Sequence, residues 1–360
     1  MSPSAPGCLD IKTICVLGWG LIGDVFVRIP IIEALKRRFP EAHITVVFDP
    51  SSREVLANHP DCAELVAYSR KKRPLLVFLR STIAHIWYLR RRQFDLSIDL
   101  YSGGSSPLNI LLINARIRLG FDRTWALRKA NNVHVRFPSM CGNWAKALGT
   151  VLTPLGVSSA EIRRGTSFYC TDNAIEYAAR LVGDDSQEYA GFNLGTGAEE
   201  KRWPIDRFVE LAVRISRKYH LIPLVFTNPG MEHLASEFVR CYSKHGQVLQ
   251  APRESLDRVG ALMKRCSYIV TGDTSLMHLA FGLKRPTMVL FIYTRPEVVA
   301  PEDCHHTACF IEDPSHVDPC GNPLGTVEIP IDHAQRKFDD LVQLVRSERR
   351  ASTAEGVGTL

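Results

Sequence analysis

The chain lacks any apolar run approaching the roughly 18 residues that a membrane-spanning helix requires. Its opening stretch, MSPSAPGCLD, lacks the charged-then-apolar build of a signal peptide. These two absences lead to the expectation of a cytoplasmic protein. Ten cysteines are present, but no CxxC pair occurs among them, and Cys15 and Cys266 fall inside apolar strand or helix patterns. Reduced thiols are therefore expected in place of a disulfide framework. The exception is the group Cys304, His305, His306, Cys309, His316 and Cys320, which could gather a metal although its spacing fits no zinc pattern. No reader motif for nucleic acid accompanies the positive charge, so no nucleic-acid partner is expected.

What is present is an ordinary globular composition, 45% hydrophobic and 23% charged, in 360 residues. That length exceeds one ordinary core and points to two domains. The charge is unevenly spread. Residues 1–170 carry 23 Lys and Arg against 12 Asp and Glu, whereas residues 171–360 carry 21 against 26. In the basic half, Arg70 to Arg73 and Arg90 to Arg92 flank the aromatics Phe78, Trp87 and Tyr88. A solvated surface would explain such a mixture; so would an anionic or phosphorylated partner near a membrane surface.

Strands and helices alternate in both halves. Strands are expected at Lys12 to Leu17, His43 to Phe48, Glu64 to Ala67 and Phe94 to Leu100, with a helix from about Val25 to Arg38 that Pro30 should kink or restart. A basic, aromatic helix ends near Arg92, a helix spans Asn143 to Leu155, and 156–165 looks like a linker. The second half repeats the rhythm from Tyr189 onward and closes with an amphipathic helix from His333 to Arg349. The expected fold class is α/β, two doubly wound domains facing each other with ligands at the carboxyl ends of the strands. The expected divisions are 1–165, 166–330, a final helix at 331–350 packing back across the domains, and a disordered tail at 351–360.

Two stretches carry chemistry. In TGDTSLMHLAFGLKRPTMVLF (271–291), a buried strand runs through the turn Gly272-Asp273-Thr274 into a helix with Leu276, Leu279, Ala280 and Leu283 at helical spacing. Unpaired backbone N–H groups and the helix dipole make that start an anion site, although Asp273 and Thr274 could equally be plain helix caps. The other stretch, Gly18-x-Gly20-x-x-Gly23, follows a strand and opens a helix, with Asp49 ending the next strand. This is the dinucleotide fingerprint, and it makes an NAD-dependent oxidoreductase the alternative reading. Against it, Asp49 lies farther on than the usual roughly 20 residues, and Trp19 and Asp24 crowd the loop.

Taken in order, IGDVFVRIPIIEALKRRFPEAHITVV, RLGFDR, KRWPIDRFVELA, NPGMEHLA and GDTSLMHLAFGLKRPTMVLF resemble the lipopolysaccharide heptosyltransferases, glycosyltransferase family 9. The likeness covers about residues 11 to 295. It implies a GT-B fold, two facing Rossmann-like domains with a deep cleft, and inverting sugar transfer from a nucleotide donor, ADP-heptose, to a lipopolysaccharide core or other surface-glycan acceptor. By the same resemblance Asp24 matches the catalytic acid, with Gly23 and Arg123 on the acceptor side. Lys201 matches the lysine that contacts donor phosphate, and Glu232 the acid that binds ribose hydroxyls. Thr196, Asp273, Thr274, Ser275 and His278 fall in the donor site. No metal or other cofactor is implied. The expected partners are the nucleotide-sugar donor and a phosphorylated lipid-linked or glycan acceptor, and the basic half adds the expectation of an anionic membrane surface at the inner face of the inner membrane. The chain departs from the family at Ser275, where a glycine is common, and at Gly18-Trp19-Gly20.

The chemistry suits these residue types on its own terms. A lysine and a helix N-terminus can stabilise a leaving diphosphate without a metal, and a carboxylate can take the acceptor hydroxyl's proton. Plainer roles stand beside these: Asp24 and Glu232 as first-turn helix acids, Lys201 as a solvated charge, His278 as a structural histidine. A non-catalytic nucleotide-sugar-binding protein would keep the second-half motifs and lose the base.

Overall fold

The computed structural model describes residues 10–69, 74–101, 106–122, 130–140, 142–183 and 187–356. The chain divides into two compact units, Met1–Arg164 and Gly165–Leu360.

In the first unit the strands are β1 (Thr13–Leu17), β2 (His43–Phe48), β3 (Glu64–Ala67), β4 (Leu96–Asp99), β5 (Ile117–Asp122) and β6 (Val133–Arg136). All pair in parallel, in the order β3-β2-β1-β4-β5-β6. The inner strands TICVL and HITVVF are near-continuous apolar runs, as a parallel sheet covered on both faces requires. The helices are α1 (Ile22–Arg38), α2 (Arg53–Leu56), α3 (Leu75–Arg90), α4 (Ser106–Ile113) and α5 (Trp144–Gly149). Pro30 does not restart α1, which runs from Ile22 to Arg38 with Phe26, Ile29, Ile31 and Ile32 buried around the proline. That packing offsets the one backbone hydrogen bond that proline removes.

The helix expected over 143–155 is two elements. α5 stops at Gly149, and a 3-10 turn, Thr150–Leu155, follows with Pro154 inside it. Gly156 then ends the run at φ +80°, a left-handed conformation suited to glycine. The stretch 156–165, which reads as a linker, is fastened to α1. Arg37 donates to the Glu161 carbonyl at 3.0 Å and Arg163 pairs with the buried Glu33 at 2.8 Å, while Arg38 donates to the carbonyl of Leu155, just before the stretch, at 3.0 Å.

The second unit holds β7 (Tyr189–Asn193), β8 (Ile222–Phe226), β9 (Leu249–Gln250), β10 (Cys266–Gly272), β11 (Thr287–Leu290) and β12 (His306–Cys309). These are again parallel, ordered β12-β11-β10-β7-β8-β9. A small antiparallel pair, β13 (Glu312–Val317) and β14 (Pro323–Gly325), follows. Its helices are α6 (Asp172–Val182), α7 (Ile205–Tyr219), α8 (Glu232–Tyr242), α9 (Leu256–Lys264), α10 (Ser275–Gly282) and α11 (Ile331–Gly356). α11 buries Ala334, Phe338, Leu341, Val342 and Val345 in the same core as α7 and β10. It runs to Gly356, so the tail expected to be disordered is helical over its first six residues, and 357–360 lie outside the described residues.

The histidine and cysteine group at 304–320 does not assemble. Cys309 is buried on β12, Cys304 donates its thiol to the Arg285 carbonyl, His305 pairs with Glu348 and His316 with Asp313. Cys320 is disulfide-bonded, so its sulfur is not a thiolate ligand. Among the described residues seven cysteines are free, and burial raises the thiols of Cys266, Cys304 and Cys309 to about 12. Among the described residues no group of three or more His, Cys, Asp or Glu side chains could hold a metal ion. Nor is any described helix long and apolar enough to cross a membrane.

In each sheet the first strand, β1 or β7, has neighbours reached by connections leaving in opposite directions. Such a reversal opens a crevice at the carboxyl ends of the two central strands, where doubly wound sheets bind their ligands.

Candidate active site

At the β7–β10 reversal the two strands end on polar residues that hold each other. Asn193, the last residue of β7 and almost wholly buried, donates through Nδ2 to the hydroxyls of Thr271 and Thr274, both at 2.9 Å. Thr274 is the N-cap of α10, and its hydroxyl oxygen also accepts from the Leu276 N–H at 3.2 Å. The Ser275 N–H and the Thr274 and Ser275 hydroxyl protons have no acceptor among the described residues. They sit at the positive end of a buried helix, an arrangement that suits an anion. Thr196 lies over this turn, since a Cβ on Gly272 would stand 3.4 Å from its methyl group. Its hydroxyl donates to the Ala198 carbonyl at 2.6 Å and so shapes the loop that reaches Lys201.

Lys201 ends a single 3-10 turn, Glu199–Lys201, and is half-buried. The turn is anchored just beyond by Trp203, which is buried, donates to the Ile329 carbonyl at 3.1 Å and packs edge-on against Phe208. Next to β7, the loop after β8 comes close enough that a Cβ on Gly195 would press on the Asn228 backbone. That loop leads to Glu232, the first residue of α8. Backbone N–H groups of Glu232 itself and of Gly230 hold its carboxyl below the usual range, with Arg253 3.9 Å away adding to the effect. Asp273 is half-buried in the turn before Thr274, while His278 is buried along α10.

In the first unit the loop after β1 is closed by its own chain. Trp19 is buried against Tyr68 and Tyr101. Arg28 reaches back from α1 to donate to the carbonyls of Trp19 and Gly18, and a Cβ on Gly20 would collide with the side chains of Asp24 and Arg28. The glycine is needed for this close approach. The exposed Asp24 accepts the Leu21 N–H through Oδ2 at 2.9 Å, so a carboxylate already occupies the start of α1 where a pyrophosphate would sit. The dinucleotide reading of this loop fails on that geometry. Gly23 lies beside Asp24 in the first turn; Arg123 lies outside the described residues, as do Arg70 to Arg73.

The family model of glycosyltransferase family 9 (heptosyltransferase) matches residues 82–318. The chain belongs to this family. Among similar curated proteins, lipopolysaccharide heptosyltransferase 3 of Escherichia coli is 24% identical over 293 residues, covering 76% of this chain and 83% of the relative. Lipopolysaccharide heptosyltransferase 2 of Salmonella typhimurium is 24% identical over 308 residues, covering 80% and 85%. Of solved structures, a family 9 glycosyltransferase from Veillonella parvula superposes with TM-score 0.79 at 22% identity over 93% of this chain and 98% of that one. The E. coli ADP-heptose lipopolysaccharide heptosyltransferase II superposes with TM-score 0.75 at 17% identity over 93% and 100%. The fold is GT-B, and the protein is a glycosyltransferase.

The glycosyltransferase carries at β7 a residue that reading the sequence passes over. Asn193 sits inside YAGFN, an apolar strand in which a single amide gives no periodic signal, and only the pairing of β7 with β10 brings it to Thr271 and Thr274.

Proposed function

We propose that the protein transfers heptose from ADP-heptose to a lipopolysaccharide-core acceptor, with inversion at the anomeric carbon and without a metal ion. The observation that carries this reading is the anion-ready turn at Thr274 and Ser275, braced by Asn193, in a chain of this family. Similar structures include an E. coli heptosyltransferase with ADP. In the proposed step the acceptor oxygen forms a bond to the anomeric carbon as the bond from that carbon to the diphosphate oxygen breaks. Asp24 takes the acceptor's proton. Lys201, the start of α10 and the Thr274 hydroxyl stabilise the departing ADP, while Glu232 and Asp273 accept from sugar or ribose hydroxyls. Thr196 shapes the donor loop, His278 supports α10, and Gly23 and Arg123 belong to the acceptor side. The site of action is the cytoplasm.

The test is transfer by the full chain from ADP-heptose to a heptose-accepting core oligosaccharide, with EDTA present and the anomeric configuration of product read by NMR. Inverted product and unchanged turnover in EDTA are expected. Lys201→Ala should lower turnover about a hundredfold, the loss typical of removing one charge-stabilising group from a developing anion. Strict dependence on added magnesium, retained configuration, or normal turnover by the lysine variant would each overturn the corresponding part of the reading.

A further inference from the structure

Helix α3 shows its apolar side to solvent. Leu76, Leu79, Ile83 and Trp87 recur at i, i+3, i+7 and i+11, one stripe of the helix, and are 76%, 44%, 66% and 56% exposed. The opposite side faces the first unit. There His85 is buried and stacks on Tyr68 at 4.2 Å, Thr82 is hydrogen-bonded to the Tyr68 hydroxyl at 2.8 Å, and Leu89 is buried. These contacts fix the rotation of the helix, so the stripe cannot turn inward without breaking them. A continuous apolar stripe held outward in this way marks an interaction surface.

The charges around the stripe indicate what covers it. Arg80, Arg90 and Arg91 are exposed on the same helix and its end; the Arg91 guanidinium lies 3.6 Å over the Trp87 ring. Arg92 is set apart, paired with Glu64 at 2.7 Å. A second copy docking through this face would bring like-charged arginines together. A phospholipid surface supplies phosphate for the arginines and an acyl boundary for the leucines and isoleucine, and Trp and Tyr are the aromatic side chains that favour that boundary. We propose that α3 lies in the interface of an anionic phospholipid bilayer, with Leu76, Leu79, Ile83 and Trp87 seated below the headgroups and Arg80, Arg90 and Arg91 among the phosphates.

Flotation of the full chain with vesicles of phosphatidylethanolamine and phosphatidylglycerol, set against phosphatidylcholine vesicles, tests this. Anionic vesicles should carry the protein, and zwitterionic ones at least tenfold less. The double variant Ile83→Glu, Trp87→Ser changes only exposed positions. It should keep the wild-type melting temperature and its turnover on a water-soluble acceptor while losing vesicle binding at least tenfold. Absence of wild-type binding to anionic vesicles, equal binding by the variant, or a wild-type dimer in sedimentation that the variant abolishes would overturn the proposal. The soluble-acceptor assay reads the sugar chemistry separately, so the two readings fail independently.

Discussion

Asp24 has two tasks that a single substitution separates. One carboxylate oxygen accepts the Leu21 N–H and closes the first turn of α1, while the side chain stays exposed at the carboxyl edge of the first sheet. Asn at this position keeps an acceptor for the N–H and loses both the negative charge and the ability to take a proton. The lost charge–dipole attraction should cost about 0.3–1 kcal/mol of stability. Removing a general base should lower transfer about 10² to 10⁴-fold. We therefore expect Asp24→Asn to melt near the wild type, to bind ADP with unchanged Kd, and to lose at least a hundredfold in kcat. A near-normal kcat would leave Asp24 with the helix cap as its whole role. The place of Asp24 in the first turn of α1 was legible because it follows a strand and a glycine turn. Arg28, which fills the same loop, was not, because nothing in an apolar helix pattern signals a side chain that folds back ten residues to Gly18.

At the scale of elements, α3 carries an apolar stripe on its outward side and buries a histidine on its inward one, and the buried histidine has a pH signature. Burial lowers the His85 pKa from 6.5 to about 4, and its Nε2 has no hydrogen-bond partner among the described residues. Between those two values the unfolded chain takes up a proton that the folded chain refuses, so stability falls as pH drops from 6.5 towards 4 and then levels. The full difference is about 3 kcal/mol, of which about 2 kcal/mol should be gone by pH 5. His85→Phe keeps a ring against Tyr68 and removes the proton site. Unfolding free energies of wild type and variant at pH 7 and pH 5 should show an acid loss in the wild type larger by about that amount; equal losses would show that His85 is not the group. Among the elements that the sequence did not disclose, β5, β6 and β12 share one cause: they are short and half-exposed, with burial patterns such as iiBBBi and ieie, and it is pairing to a neighbouring strand that makes them regular. The long central strands and α7, α8 and α10 were legible because burial alone dictates their pattern.

For the whole molecule, the second unit contains everything the donor is proposed to touch. Thr196, Lys201, Glu232, Asp273, Thr274 and Ser275 all lie beyond Gly165, as does the bracing Asn193. So does its core, which runs from Ala190 on β7 through Phe238 and Val270 to Val345 on α11. The last helix is tied to α7 by Asp339, which pairs with Lys218 at 2.9 Å and accepts from the Tyr219 hydroxyl at 2.6 Å. Burial alone would raise the Asp339 carboxyl, but hydrogen bonds from Tyr219, Lys218 and Gln335 outweigh it and set the net direction downward. This contact is therefore intact above the ordinary carboxylate range and is lost only as pH falls through the lowered value. A chain of residues 165–360 should accordingly fold at neutral pH and bind ADP by itself. A ligand that binds only the folded state stabilises it by RT ln(1 + [L]/Kd), about 2.7 kcal/mol at a hundredfold excess over Kd. ADP should raise the melting temperature of this half-chain as it does that of the full chain, with Kd values within tenfold of each other, and NAD should not. A half-chain that melts cooperatively yet gives no shift with ADP would show that the groups gathered around Asn193 and Thr274 do not by themselves make the donor site.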